Sequence, residues 1–164
     1  MPKLNSKITP CLWFDREALA AAEFYCAIFP NSRVTDVSRY PENLPGDRAG
    51  EVLTVVFELD GQRFRGLNGG PQFTFSEAIS FEIEVETQGE LDRYWDALLA
   101  DGGVESQCGW LKDRFGLSWQ VVPKQLGELM TSEDKAKAGR VAAAMMQMVK
   151  LDIAALEAAA AAAG

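Results

Sequence analysis

Few side chains in this sequence can do covalent or metal chemistry. There is no histidine, which removes Ser-His-Asp and Cys-His nucleophilic catalysis and every imidazole metal site. Three cysteines, Cys11, Cys26 and Cys108, are widely spaced and form no CxxC pair. That spacing argues against structural zinc and thioredoxin-type exchange and reads as reduced, mostly buried thiols. Glu82, Glu84 and Glu86 alternate along one predicted strand and so share a side of it; a solvated face or a subunit contact explains such a row better than an acid/base pair. Lys112, Asp113 and Arg114 flank a turn, DRFG, where they either meet a ligand or form a charged hairpin tip. Gln120, in CGWLKDRFGLSWQVVP (108–123), is a polar amide on a predicted strand. Metal ligand, substrate contact and satisfied core group all remain open for it.

What remains is aromatic. Trp13, Trp110 and Trp119 lie on predicted strands, with Cys11 and Cys108 nearby. The stretch GLNGGPQFTF (66–75) lacks GxxxxGK[ST] and no helix follows it, so it is a poor phosphate loop. It reads instead as a connector whose Phe73 and Phe75 form a pocket wall or pack in the core. Aromatic walls with a few polar groups suit an organic ligand containing a flat ring.

The elements that must position these residues follow from the pattern. ITPCLWF (8–14) is a predicted strand and REALAAAEFYCAIF (16–29) a predicted helix, stopped by Pro30 and Asn31. SRVTDVSRY (32–40) is a second strand, and a loop rich in proline and glycine follows it. EVLTVVFEL (51–59) and QRFRGLNGG (62–70) are strands joined by Asp60-Gly61, a hairpin signal. The order then restarts with AISFEIEV (78–85), whose apolar residues alternate with polar ones, and an amphipathic helix over 88–103. VESQCGW and LSWQVV are short strands around the DRFG turn. FYCAIFPNSRV (24–34) and YWDALLADGGV (94–104) echo one another at an offset of 70 residues, which suggests duplication of a strand, helix, three-strand module. After Pro123 the chain is helical. Acidic residues near 132–134 cap one segment and Asp152 another, and Val141, Met145 or Met146, and Met148 or Val149 form a packing stripe.

Length, 164 residues, suits one domain or two small modules. A net charge of −8 gives nucleic acid no electrostatic footing. No apolar run is long enough to span a bilayer, and MPKLNSKITP lacks a signal-peptide core, so the expected location is cytoplasmic.

The segments ITPCLWFD, AEFYCAIFPNSRV, FELDGQRFRGLNGGPQFTF, EAISFEIEV, DRYWDALLADGG, CGWLKDRFGLSWQVVP and KAKAGRVAAAMMQMVKLDIAALEAA together resemble the vicinal oxygen chelate superfamily of glyoxalases, bleomycin-resistance proteins and extradiol dioxygenases. The match is to its PhnB-like branch, commonly labelled 3-demethylubiquinone-9 3-methyltransferase. The resemblance implies an α+β fold in which two βαβββ modules form an eight-stranded, U-shaped mixed sheet, and a homodimer. It places one glyoxalase-like domain over residues 1–130, with modules 8–70 and 78–122, and a helical extension over 131–164.

Metal-bearing relatives draw their ligands from the first and last strands of each module. Carried onto this chain, those positions fall at Pro10 or Thr9, near Asn68, at Ala78 and at Gln120. None is a carboxylate or an imidazole, so the expectation is no metal and no cofactor. No GxGxxG occurs to support the methyltransferase label. The expected function is metal-free binding of a small aromatic or otherwise apolar molecule by Cys11, Trp13, Asn68, Phe73, Phe75, Trp110, Trp119 and Gln120, with no nucleic acid or membrane partner and no assigned catalytic residue. The alternatives are an enzyme of the superfamily, either a metal-dependent lyase or dioxygenase or the methyltransferase of the label, and a dimer whose helices recruit a partner.

Overall fold

The computed structural model describes residues 6–163, so the first five residues of the leader-free reading lie outside the described residues. The chain divides into two compact units, Met1–Phe75 and Ser76–Gly164. Within the first, β1 (Cys11–Phe14), α1 (Ala18–Ile28), β2 (Arg33–Arg39), β3 (Val52–Leu59) and β4 (Gln62–Asn68) follow in order. Their sheet has the order β1-β4-β3-β2, with β1 parallel to β4 and the other pairs antiparallel. Alanine lets α1 lie close to this sheet: Ala18, Ala21, Ala22 and Tyr25 form its buried stripe at helical spacing. A Cβ at Gly66 would sit 3.1 Å from that of Ala18, so any larger residue there would push the helix and strand apart by a few tenths of an ångström. Leu12, Phe14, Val55, Phe57, Leu59 and Phe64 complete the core beneath the helix. The Asp60-Gly61 turn has φ of 46° and 86°, the left-handed pair that a two-residue type I′ hairpin requires.

The second unit repeats the plan. β5 (Phe81–Val85), α2 (Gln88–Leu99), β6 (Val104–Glu105), β7 (Trp110–Lys112) and β8 (Ser118–Pro123) build a sheet of order β5-β8-β7-β6. β5 is parallel to β8, as β1 is to β4. Thr87 caps α2 by accepting from the Glu90 N–H, and the Glu90 carboxylate accepts from the Glu86 N–H, a reciprocal arrangement close to a capping box. Leu91, Tyr94, Trp95 and Leu98 are the buried stripe of α2. The offset of 70 residues holds in three dimensions. Tyr25 and Trp95 are both core residues on their helices, and Asn31 and Asp101, just past the helix ends, both adopt positive φ (50° and 62°).

Three helices follow, α3 (Lys124–Met130), α4 (Lys135–Met145) and α5 (Ile153–Ala161), and they cluster with the second unit. Asp134 and Asp152 cap α4 and α5 through the Lys137 and Ala155 N–H groups. No helix among the described residues is long and apolar enough to cross a membrane.

Two local expectations are corrected. VESQCGW is not one strand: it breaks between β6 and β7 because Cys108 and Gly109 both take positive φ, 59° and 84°. The stripe Val141, Met145 or Met146, Met148 or Val149 is not continuous either. α4 ends at Met145, so only Val141 is fully buried, while Met146 and Val149 are exposed.

Candidate functional site

Side chains alternate across a strand, so each sheet has a face covered by its helix and an open face. On β1 of the first unit, Leu12 and Phe14 point under α1, and Cys11 and Trp13 point to the open face beside Arg65 and Leu67 of β4. Trp13 is fixed: its indole N–H donates to the Gly70 carbonyl at 2.9 Å. Phe73 stands edge-on to it, with ring centroids 5.0 Å apart and planes at 74°, yet remains 64% exposed. Gly69 makes this corner sterically feasible, since a Cβ there would lie 2.2 Å from Trp13 Cζ2. Phe75 packs on Phe14, at 5.3 Å and 80°, which is the helix-covered face. The connector therefore straddles β1, an edge strand, with Phe73 on the open side and Phe75 on the closed one. Phe75 is half-buried against Phe14.

Asn68 is also removed from the expected set of ligand contacts. It is 3% exposed and lies on the closed face opposite Phe14. Its Oδ1 accepts from the Ala18 N–H at 2.9 Å, and its Nδ2 donates to the Arg16 and Val52 carbonyls. Helix α1 has no side-chain cap from its own Glu17, and Asn68 supplies that bond from a neighbouring strand. Nearby, Arg48 binds Glu51, the Tyr40 hydroxyl and the carbonyls of Asp15 and Asn68, anchoring the loop after β2. The Glu51 hydrogen bond raises the Arg48 pKa. A hollow of about 100 Å³ lined by Tyr40, Pro41, Leu44 and Arg48 lies in that loop; a drug-sized ligand needs several times more.

In the second unit, Trp119 and Gln120 point to opposite faces. Trp119 is buried on the closed face with Leu111 and Val121, and its indole N–H donates to Asp113 at 2.9 Å. It is a core residue, which corrects its expected place in the ligand cleft. Asp113 is correspondingly no exposed hairpin tip. Its carboxylate is buried and also accepts from the Phe115 and Leu117 N–H groups, closing the DRFG turn from inside.

The open face of this unit carries Gln120, its register neighbours Glu82 and Trp110, and also Glu84, Lys112 and Ser118. Gln120 Nε2 donates to Ser80 Oγ at 2.9 Å. Lys112 pairs with Glu77 and holds that carboxyl below its ordinary range. Ser118, 1% exposed, has a hydroxyl with no hydrogen-bond partner among the described residues. Ser80 and Ser118 were not singled out in the sequence. Their parity with Gln120 along the strands was the available signal.

All three cysteines are free; Cys11 is exposed, and Cys26 and Cys108 are half-buried. Burial, with Glu23 adding, pushes the Cys26 thiol up, which disfavours the reactive thiolate.

The superfamily's metal does not fit these residues. The Asn68 amide is spent on three backbone bonds and Ala78 has no donor atom. Pro10 offers a carbonyl already accepting from the Arg65 N–H, and Gln120 contributes one neutral oxygen. Among the described residues no three His, Cys, Asp or Glu side chains gather into a candidate ion site.

Residues 6–122 match the family model described as 3-demethylubiquinone-9 3-methyltransferase. Among solved structures the chain is similar to a PhnB protein from Bacillus cereus at 35% identity, covering 72% of this chain and 99% of that one, with a TM-score of 0.65. Likeness of fold alone extends to protein PA1353 from Pseudomonas aeruginosa (18% identity, 71% and 96% covered, TM-score 0.60). It also extends to the fosfomycin resistance protein FosX from Mesorhizobium loti (10% identity, 79% and 99% covered, TM-score 0.57). No curated protein matches the sequence.

Proposed function

The chain belongs to the 3-demethylubiquinone-9 3-methyltransferase family, the PhnB-like branch of the vicinal oxygen chelate superfamily, and from that premise we propose that it binds a small, flat, ring-bearing organic molecule against Trp13 and Phe73. One observation carries the reading: an aromatic corner in which Trp13 is held by a hydrogen bond and Phe73 stays exposed. An exposed phenylalanine costs solvation, and the Trp13 ring it stands against is fixed by the backbone. Gly69 yields space to the Trp13 ring, and Gly70 accepts the indole proton. A ring ligand gains from such a corner through buried apolar area and edge or offset stacking, worth about 0.5–1.5 kcal/mol per aromatic pair beyond the area itself. The family name points to the same chemistry, since a demethylated ubiquinone is a substituted quinone ring.

Binding is favoured over methyl transfer on topological grounds. A common S-adenosylmethionine site needs a glycine-rich turn after a strand of a parallel sheet. Each sheet here has a single parallel pair, and no such turn follows β1 or β5. The test is intrinsic fluorescence titrated with quinones, phenols and aromatic drugs. A ring compound should quench wild-type emission, and Phe73→Ala should weaken its binding by about tenfold, as for loss of one well-packed aromatic contact. No quenching by any compound, or equal affinity in the variant, contradicts the proposal. Heat on titration with S-adenosylmethionine alone supports the enzyme reading instead.

A further inference from the structure

We infer that residues 148–153 form a strap that positions Trp110, holding the left-handed Cys108–Gly109 step from which the Trp110 ring is presented on the open face of the second unit. The family match ends at residue 122, so the strap lies outside it. The inference concerns the second unit by itself and rests on the ring-binding reading for its binding arm alone.

Cys108 has φ of 59°, a region that a residue with a side chain keeps only where its surroundings enforce it. The strap does the enforcing. The Cys108 N–H donates to the Met148 carbonyl and the Gly109 N–H to the Val149 carbonyl, both at 2.8 Å. Leu151, fully buried, lies directly on Gly109: a Cβ at that glycine would be 2.9 Å from Leu151 Cδ1. On its other side the Gly109 carbonyl accepts from the Val121 N–H at 2.9 Å, which ties the step to β8. Trp110 comes next, opposite Gln120. Its position is therefore set by a peptide clamped between β8 and the strap.

The strap has its own anchors. Gln88, first residue of α2, grips it with both ends of its amide, donating to the Leu151 carbonyl at 3.1 Å and accepting from the Ile153 N–H at 2.9 Å. Lys150 pairs with Asp92 one turn along at 2.8 Å. Where the strap passes into α5, Ile153 and Leu156 are buried, and Arg140 of α4 donates to the Ala159 and Ala160 carbonyls. A side chain chosen only to start a helix would not need to bond two backbone groups some 65 residues away.

The test uses the full chain with Gln88→Ala and, separately, Leu151→Ala. Gln88→Ala removes a half-buried amide and no core apolar volume, which keeps the test alive should Leu151→Ala fail to fold. The readouts are amide exchange at Ile153 and the indole N–H resonance of Trp110, assigned from its loss in Trp110→Phe. In Gln88→Ala the Ile153 amide should exchange at least about tenfold faster, and the Trp110 indole resonance should shift while those of Trp13 and Trp95 stay. Any ring compound whose wild-type binding perturbs Trp110 should bind more weakly to the variant. Faster exchange at Ile153 with an unmoved Trp110 resonance would overturn the inference. Absence of binding to wild type would defeat the ring-binding reading alone, because the indole resonance still decides the role of the strap.

Discussion

Asn68 and Asp113 are polar side chains whose buried bonds set the cost of losing them. Removing the Asn68 amide strands the Ala18 N–H and two carbonyls in a site 3% exposed. Asn68→Ala should therefore lower stability by about 2–3 kcal/mol in urea denaturation. Ring-compound affinity should be unchanged; a loss of affinity at full stability would mean the residue contacts ligand after all. Asp113→Asn turns one acceptor oxygen into a donor facing N–H groups and should cost on the order of 2 kcal/mol. A neutral outcome in the same assay would mean that the turn does not depend on the carboxylate. Ser118→Ala should be neutral or stabilising, because its hydroxyl is buried without a partner. Trp13 and Phe73 do stand together on the open face, as their aromatic type and strand placement allow. The burial of Asn68 and Trp119 was not legible in the sequence, because one step of strand parity decides between open face and core, and a sequence with apolar residues on both sides of that step does not reveal it.

The strap and the helix α2 it rests on are tied by an exposed ion pair, and that gives the element a pH signature. Hydrogen bonds from Lys150, then from Gln88, hold the Asp92 carboxyl below its ordinary range. Asp92, with Asp96 and Glu105 adding charge, raises the Lys150 pKa. A depressed carboxyl contributes stability that is present above the ordinary aspartate pKa of about 4 and lost as pH falls through the lower folded value. A raised lysine contributes below its ordinary value of about 10 and loses that contribution as pH climbs through the higher folded one. The tether is thus complete at neutral pH and is lost on the acid side as the Asp92 carboxyl protonates. Protection at Ile153, corrected for intrinsic exchange, should fall below about pH 4 before that of Val55 or Phe57 in the first unit; a simultaneous loss would show ordinary acid unfolding instead. The break between β6 and β7 was hidden in the sequence. VESQCGW has strand-like ends, and only the Cys108-Gly109 dipeptide hinted at a left-handed step that distant residues hold in place.

At the level of the whole chain, the duplicated plan was readable because two signals agree: the strand, helix, three-strand order occurs twice, and FYCAIFPNSRV and YWDALLADGGV echo one another 70 residues apart. Two βαβββ units with matching strand orders, and left-handed residues at Asn31 and Asp101, express one local code twice. The C-terminal helices were legible as helices. Their docking on the second unit was not, since it depends on Gln88 and Gly109, which carry no helical pattern. Ring binding depends on the Trp13–Phe73 corner staying open. Its most direct test follows the four tryptophan indole N–H resonances as a quinone or phenol is added. Trp13 should shift while the buried Trp95 and Trp119 remain unmoved. A titration that leaves Trp13 in place, or moves only the buried pair, would contradict it.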